Sequence, residues 1–204
     1  MRTLDDILRE SSARHKHLCP RQVLGARMAL YASELLGLDL PRKDKRLLVI
    51  AETDGCTVDG LIAATGCHVG GRTLRILDLG KVAATFTDAC TGISIRVCPS
   101  HGSRALANGH SPDARSRCEA MLLGYQFMPP AELFIIQYVQ LKVPLAEIIA
   151  KPGRKTICDA CKEEIINGRE MEHAGLILCR TCAGEGYYQV KTDSATMMTS
   201  RCPR

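Results

Sequence analysis

The sequence predicts an α+β fold, in which a mixed helix and antiparallel-sheet core is followed by a small C-terminal zinc-ribbon or treble-clef-like module. Three observations predict it. Helical and strand-type apolar periodicities are interleaved along the first 150 residues with no internal repeat. With 46% hydrophobic residues in a 204-residue chain, there is enough apolar mass for one ordinary core. Two Cys-x-x-Cys knuckles then fall close together beyond a Pro- and Gly-containing stretch, "AKPGRK". The expected domains are a core over residues 1–150 and a four-cysteine module over residues 151–204.

The elements follow in order. Residues 3–13 read as a short helix with Thr3 as N-cap and Leu4, Ile7 and Leu8 on one face. Pro20 suits the first position of a second helix, Val23, Leu24, Met28, Tyr31, Leu35 and Leu36 form its apolar stripe, and Gly37 suits its C-cap. "RLLVIAET" is a buried-strand run that leads into "DGC", and "TVDGLIAATG" reads as a helix closed by Gly66. Two β-prone runs in "TLRILDLGKVAATF", followed by the alternating "GISIRVC", suggest an antiparallel meander. "CPSHGSRALANGH" reads as a surface loop, with the length and polarity of a lid or a spacer. A helix is expected from Ser111 as N-cap with Pro112 at its first position, and "PPAELFIIQYVQLKV" as one helical turn feeding a strand.

Composition narrows the function classes. A net charge of +5 and a pI near 8.7 favour anionic partners only mildly. No Trp and 4% aromatic residues leave the stacking platforms of single-strand binders poorly supplied, so nucleic acid is an unfavoured partner. Acidic residues stand where a signal peptide needs an apolar stretch, and no run approaches a bilayer span, which predicts a cytoplasmic protein with no membrane partner. In that compartment eleven cysteines argue for metal or redox chemistry before a disulfide framework.

The sharpest chemical signal is Cys158 and Cys161 in "CDAC" with Cys179 and Cys182 in "CRTC", seventeen residues apart. Two intervening residues make a tight turn that aims both thiolates at two corners of a tetrahedron, and the second knuckle supplies the other two. Asn167–Gly168 and Ala174–Gly175 are hairpin turn signals between them. A module this short depends on its metal, a structural Zn2+, for much of its stability. Redox Cys-x-x-Cys chemistry is the competing reading, and it lacks the βαβ context it needs. Cys202 reads as an uninvolved thiol.

In the first half, "HKHLCP" with "LGARMA", then "ETDGCTVDGLIAATGC", then "LDLGKVAATF", resembles the FmdE family of formylmethanofuran dehydrogenase components over roughly residues 11–98. The resemblance implies an α+β core with a metal or active site, frequently a homodimer, and a C-terminal cysteine-rich zinc module. Where members commonly carry glycine between the two histidines and after the Cys-Pro, this chain has Lys16 and Arg21, which implies a more basic pocket. The association with a molybdenum or tungsten enzyme implies a metalloenzyme partner subunit rather than dehydrogenase chemistry in this chain, which has no ferredoxin-type cysteine run.

Read as residues, an extended "HKHLC" would place His15, His17 and Cys19 on one face. His17, Cys19 and Cys56 make a mixed set for zinc or a second transition metal of borderline softness, with Cys67 or water completing it and His15 as ligand or supporting partner. Asp54 or Asp59 would orient an imidazole or carry a proton, and Lys81 would fix an anionic substrate. Three functions follow from these residues. The first is a metal-binding protein accessory to a metalloenzyme. The others are an independent metal-dependent enzyme acting on a small anionic substrate, with Asp59 and Lys81 in catalytic roles, and a zinc-ribbon regulator that binds nucleic acid.

Overall fold

The structure, a computed structural model, describes residues 2–15, 17–150 and 153–190, the side chains of residues 14 and 15 excepted. Two compact units divide the chain, residues 1–145 and 146–204.

The first unit begins with α1 (Leu4–His15). Its start is fixed by a reciprocal cap, in which Thr3 Oγ accepts from the Asp6 N–H at 3.2 Å and the Asp6 carboxylate accepts from the Thr3 N–H at 3.2 Å. Because α1 runs through His15, the His15–His17–Cys19 segment is not one extended run with a shared face. Next comes α2 (Pro20–Leu36), with Pro20 in the first turn and Gly37 left-handed at φ 62°. Its buried face is broader than the predicted stripe. Gly25, Ala26, Ala29 and Ala32 are buried with Val23 and Met28, while Leu35 is exposed, because a second helix packs on the small-residue side.

That second helix is α3 (Cys56–Thr65), closed by left-handed Gly66. It follows β1 (Leu47–Ala51) and precedes β2 (Leu74–Ile76), β3 (Ala84–Asp88) and β4 (Ser94–Pro99). After α4 (Ser103–Gly109), α5 (Arg117–Phe127) and the single turn α6 (Pro130–Leu133), β5 (Phe134–Tyr138) completes a five-stranded sheet of order β2-β1-β3-β4-β5. All neighbouring pairs are antiparallel except β1 with β2, which is parallel. The predicted meander therefore holds from β3 to β5 and fails at β2, which crosses to the far edge of β1 instead of pairing with β3.

Register places Leu74, Val49, Phe86 and Ile95 in one row across four strands, each at most 1% exposed, and Ala51, Ala84, Val97 and Ile136 in the next row. The strand period of two puts both rows on the face that receives the helices, where α2 meets β3 and β4. On the opposite face Arg96 donates to both Glu52 carboxylate oxygens, at 2.5 and 2.7 Å, and to Gln137 Oε1 at 2.8 Å.

Two differences bear on the site. The segment read as a surface loop contains α4, with Ser103 and Ala107 buried. The helix expected from Ser111 starts later: Ser116 is the N-cap of α5, its Oγ accepting from the Glu119 N–H at 3.1 Å while Glu119 Oε2 accepts from the Arg115 N–H at 2.7 Å. "SRCE" is an S-x-x-E capping signal that outcompetes Ser111–Pro112.

In the second unit β6 (Lys155–Ile157) pairs with β7 (Glu164–Ile166), and β8 (Met171–His173) with β9 (Leu176–Leu178), both antiparallel. Asn167–Gly168 and Ala174–Gly175 have positive φ throughout, as their turns require. A π-helical turn (Thr181–Glu185) follows, and α7 (Leu145–Ile149) precedes β6. The buried core of this unit is Cys158, Ile165 and Leu178. No helix among the described residues is long and apolar enough to cross a membrane.

Candidate functional site

The ligating atoms of Cys158, Cys161, Cys179 and Cys182 all lie within 4.8 Å of one another, and no second group of three or more such donors gathers this closely among the described residues. Each pair sits on a chain reversal: Cys158 and Cys161 follow β6, and Cys179 and Cys182 run from the end of β9 into the π-helical turn. Cys161 Sγ and Cys179 Sγ are 3.8 Å apart. A tetrahedron with Zn–S arms of about 2.3 Å has edges of about 3.8 Å, so the sulfur spacing fits one four-coordinate ion. Backbone amides support the sulfurs, Cys179 N–H donating to Cys158 Sγ at 3.3 Å and Cys182 N–H to Cys179 Sγ at 3.4 Å. N–H donation from Cys179 and Cys161 brings the Cys158 thiol down to about 6, whereas hydrogen bonding with Cys179 pushes Cys182 up to about 12. Thiolates crowded together in this way suppress each other's ionisation, and a bound cation relieves that repulsion.

In the first unit α2 and α3 cross with their backbones in contact. A Cβ on Gly25 would lie 2.2 Å from the Thr57 carbonyl oxygen, and one on Gly60 2.1 Å from that of Gln22. This crossing brings the starts of the two helices together. Cys19 is the N-cap of α2, held by its N–H donating to Gln22 Oε1 at 2.8 Å, and Cys56 is the first residue of α3. Their thiols interact, and both face a cavity of about 420 Å³ whose walls include Arg21, Leu24, Arg104, Cys118, Met121 and Tyr125. Burial first, then the hydrogen bond with Cys19 and the charge of Asp59, hold the Cys56 thiol above its ordinary range. The far wall is fixed by Arg27, which donates to the carbonyls of Tyr125, Gln126 and Met128 at 2.6–2.7 Å and so ties the end of α5 to α2.

The sequence-predicted core residues are thus only partly assembled. Cys19 and Cys56 converge. His17 is exposed and does not line the cavity; the side chain of His15 lies outside the described residues, as does Cys202. Cys67 is not brought to the pair: it follows the opposite end of α3, about 15 Å from its start, is 2% exposed, and donates its thiol to the Leu47 carbonyl at 3.5 Å. Burial pushes that thiol up, as for a small apolar residue. Asp59 lies in the first turn of α3 and acts on Cys56 through its charge. Lys81 is exposed, away from the cavity lining, with its N–H donating to the Glu52 carbonyl at 3.1 Å. Asp54, shortly before Cys56 in the chain, is exposed and does not line the cavity either.

Arg104, Cys118 and Tyr125 were missed by sequence reasoning. Helix α4 was read as loop, and no local spacing links those three residues to Cys19 or Cys56.

Comparison with known proteins bears on both units. The chain is 29% identical over 197 residues to a "Probable S-adenosyl-L-methionine-binding protein" of Archaeoglobus fulgidus, covering 86% of this chain and 52% of that protein. The chain therefore spans about half the length of this curated relative. A crystal structure of an FmdE-like protein of the tungsten formylmethanofuran dehydrogenase type, from Syntrophus aciditrophicus, superposes with a TM-score of 0.62 at 20% identity, over 92% of this chain and 96% of that one, and so shares its fold. Residues 14–135, which carry α2, α3, the first four strands and the Cys19–Cys56 cavity, match the family described as "FmdE, Molybdenum formylmethanofuran dehydrogenase operon", and the chain belongs to that family.

Proposed function

We propose that this is a cytoplasmic metal-binding protein accessory to a molybdenum or tungsten metalloenzyme, with a structural Zn2+ on the four C-terminal cysteines and a second transition metal, zinc by preference, in the core. The observation that carries the core site is the meeting of Cys19 and Cys56 at the starts of two crossing helices on the wall of a cavity. Two thiolates suit a borderline-soft ion, and His17, two residues before Cys19, is the imidazole of the proposed set. Cavity and donors together support an open coordination position rather than a closed structural site. A metal there would act as a Lewis acid toward a bound oxygen atom. Asp59, whose charge already reaches Cys56, is the residue proposed to orient a ligand or carry a proton. We assign the protein to a homodimer by family resemblance.

Metal analysis of the full chain purified without added metal tests this reading. About two ions per chain are expected, with one lost in Cys19→Ser and Cys56→Ser and the other in Cys158→Ser with Cys161→Ser. One ion per chain, unaffected by Cys56→Ser, would remove the core site. Sedimentation gives the oligomeric state, and co-purification with a metalloenzyme the accessory role.

The curated relative favours a second reading, S-adenosyl-L-methionine binding. Calorimetric titration with that compound separates the two, since no heat at millimolar ligand excludes it. Binding to duplex DNA at low salt, the signature of a zinc-ribbon regulator, is expected to be absent.

A further inference from the structure

We propose that the cavity beside Cys19 and Cys56 takes a small organic carboxylate, whose anionic end is held by Arg21 and Arg104 while its apolar body lies on Leu24 and Met121. The proposal deepens the reading of this cavity as the core site and rests on it for location.

Four observations carry it. Both guanidinium groups line the same cavity as the thiol pair, and no Asp or Glu lines that cavity or the adjoining one. Neither Arg21 nor Arg104 is ion-paired among the described residues, whereas Arg2, Arg42, Arg46, Arg96 and Arg154 each hold a carboxylate. Two guanidinium groups facing a shared void without a counter-charge favour an anion there, and the fork of N–H donors matches a carboxylate in two-point contact.

The second observation is positional. Arg104 is common to the 420 Å³ cavity and to an adjoining one of about 320 Å³ that also shares Leu24 and Tyr125 and adds Ser100 and His101. Tyr125, 2% exposed, bonds through its hydroxyl with the side chains of Ser103 and Arg104, which holds the guanidinium at the junction. Third, α2 has no acidic residue in its first turn, where Arg21 stands, so the positive end of that 17-residue helix adds to the same field. Fourth, Leu24, Met121 and Tyr125 give the cavity an apolar wall, and its volume falls within the range of about 300–1,000 Å³ typical of small-molecule sites. A ligand that satisfies both halves carries one anionic end and a short apolar body.

Calorimetric titration of the full chain, metal-loaded and metal-stripped, with hexanoate, hexanamide and hexyl phosphate as probes tests the proposal. Hexanoate is expected to bind at least about tenfold more tightly than hexanamide, and Arg21→Gln and Arg104→Gln each to weaken it by about tenfold. Lys142→Gln, an exposed charge change off the cavity, is expected to leave it unaltered. Substitution at the two exposed arginines should not disturb folding, which thermal melts check, and Arg104→Lys should retain part of the affinity. Equal binding of hexanamide, or hexanoate binding unchanged in the Arg21→Gln, Arg104→Gln double variant, overturns the proposal. So does tighter binding of hexyl phosphate, which assigns the site to phosphate. Arginine-dependent hexanoate binding in a chain found to hold no core metal supports the carboxylate site while the metal reading fails. Core metal without arginine-dependent binding rejects the carboxylate site alone.

Discussion

Gly25 of α2 and Gly60 of α3 interlock so closely that neither position has room for a methyl group. Each glycine faces a backbone carbonyl of the other helix, Thr57 O for Gly25 and Gln22 O for Gly60. Glycine inside a helix costs about 1 kcal/mol relative to alanine, and that cost is offset here by the packing it permits. The crossing also sets the distance between Cys19 and Cys56, three to six residues away on their respective helices.

Gly60→Ala should therefore destabilise the first unit by about 2–3 kcal/mol, although alanine is the better helix former. Denaturant unfolding measures this. The same variant should lower core metal content, because forcing α2 from α3 separates the two thiols; a stabilised variant would contradict the close crossing.

Removing metal from the C-terminal unit should unfold that unit and spare the first. The β6–β7 and β8–β9 hairpins share a buried core of three residues, which cannot offset the entropy of ordering them. Hydrogen exchange after chelation is expected to show lost protection at Glu164–Ile166 and Leu176–Leu178, with protection kept in β1 and β3. Cys158→Ser should reproduce the effect without chelator.

The pair Arg46–Asp88 predicts a pH dependence. Arg46 donates to both Asp88 oxygens, at 2.8 and 2.9 Å, and Asp88 also accepts from the Cys90 N–H and the Thr91 hydroxyl, each at 3.0 Å. The Arg46 guanidinium, then those other donors, hold the Asp88 carboxyl well below the usual carboxylate range. For a carboxyl lowered in the folded state, the stabilisation is present above its unfolded value near 4 and is lost as pH falls through the folded value. Asp88→Asn should thus cost about 1–3 kcal/mol at pH 7. The difference from the parent chain should shrink steadily below about pH 4, as read from denaturant midpoints across pH.

Cys67→Ala should leave metal content unchanged and cost about 1 kcal/mol, the loss of a small buried group and its contact with the Leu47 carbonyl. Cys19→Ala and Cys56→Ala should do the reverse, with lost core metal and little loss of stability. Metal loss in the Cys67 variant would return that residue to the ligand set.

Much of this molecule follows from neighbouring residues alone. Pro20 and Gly37 bracket α2, Gly66 ends α3, alternation marks β4, and two Cys-x-x-Cys turns with seventeen residues between them define a four-thiol cluster, because caps, strand periods and knuckles are all decided within a few residues of chain. Folding in three dimensions decided the rest. It sent β2 to the far edge of the sheet, turned the expected loop into α4, ended the extended reading of "HKHLC" by carrying α1 through His15, set Cys67 apart from Cys56, and gathered Arg21, Arg104 and Tyr125 around a thiol pair. These outcomes depend on which helix faces meet and how near they come, and the energy of such contacts lies between segments far apart in sequence, where no local pattern records it.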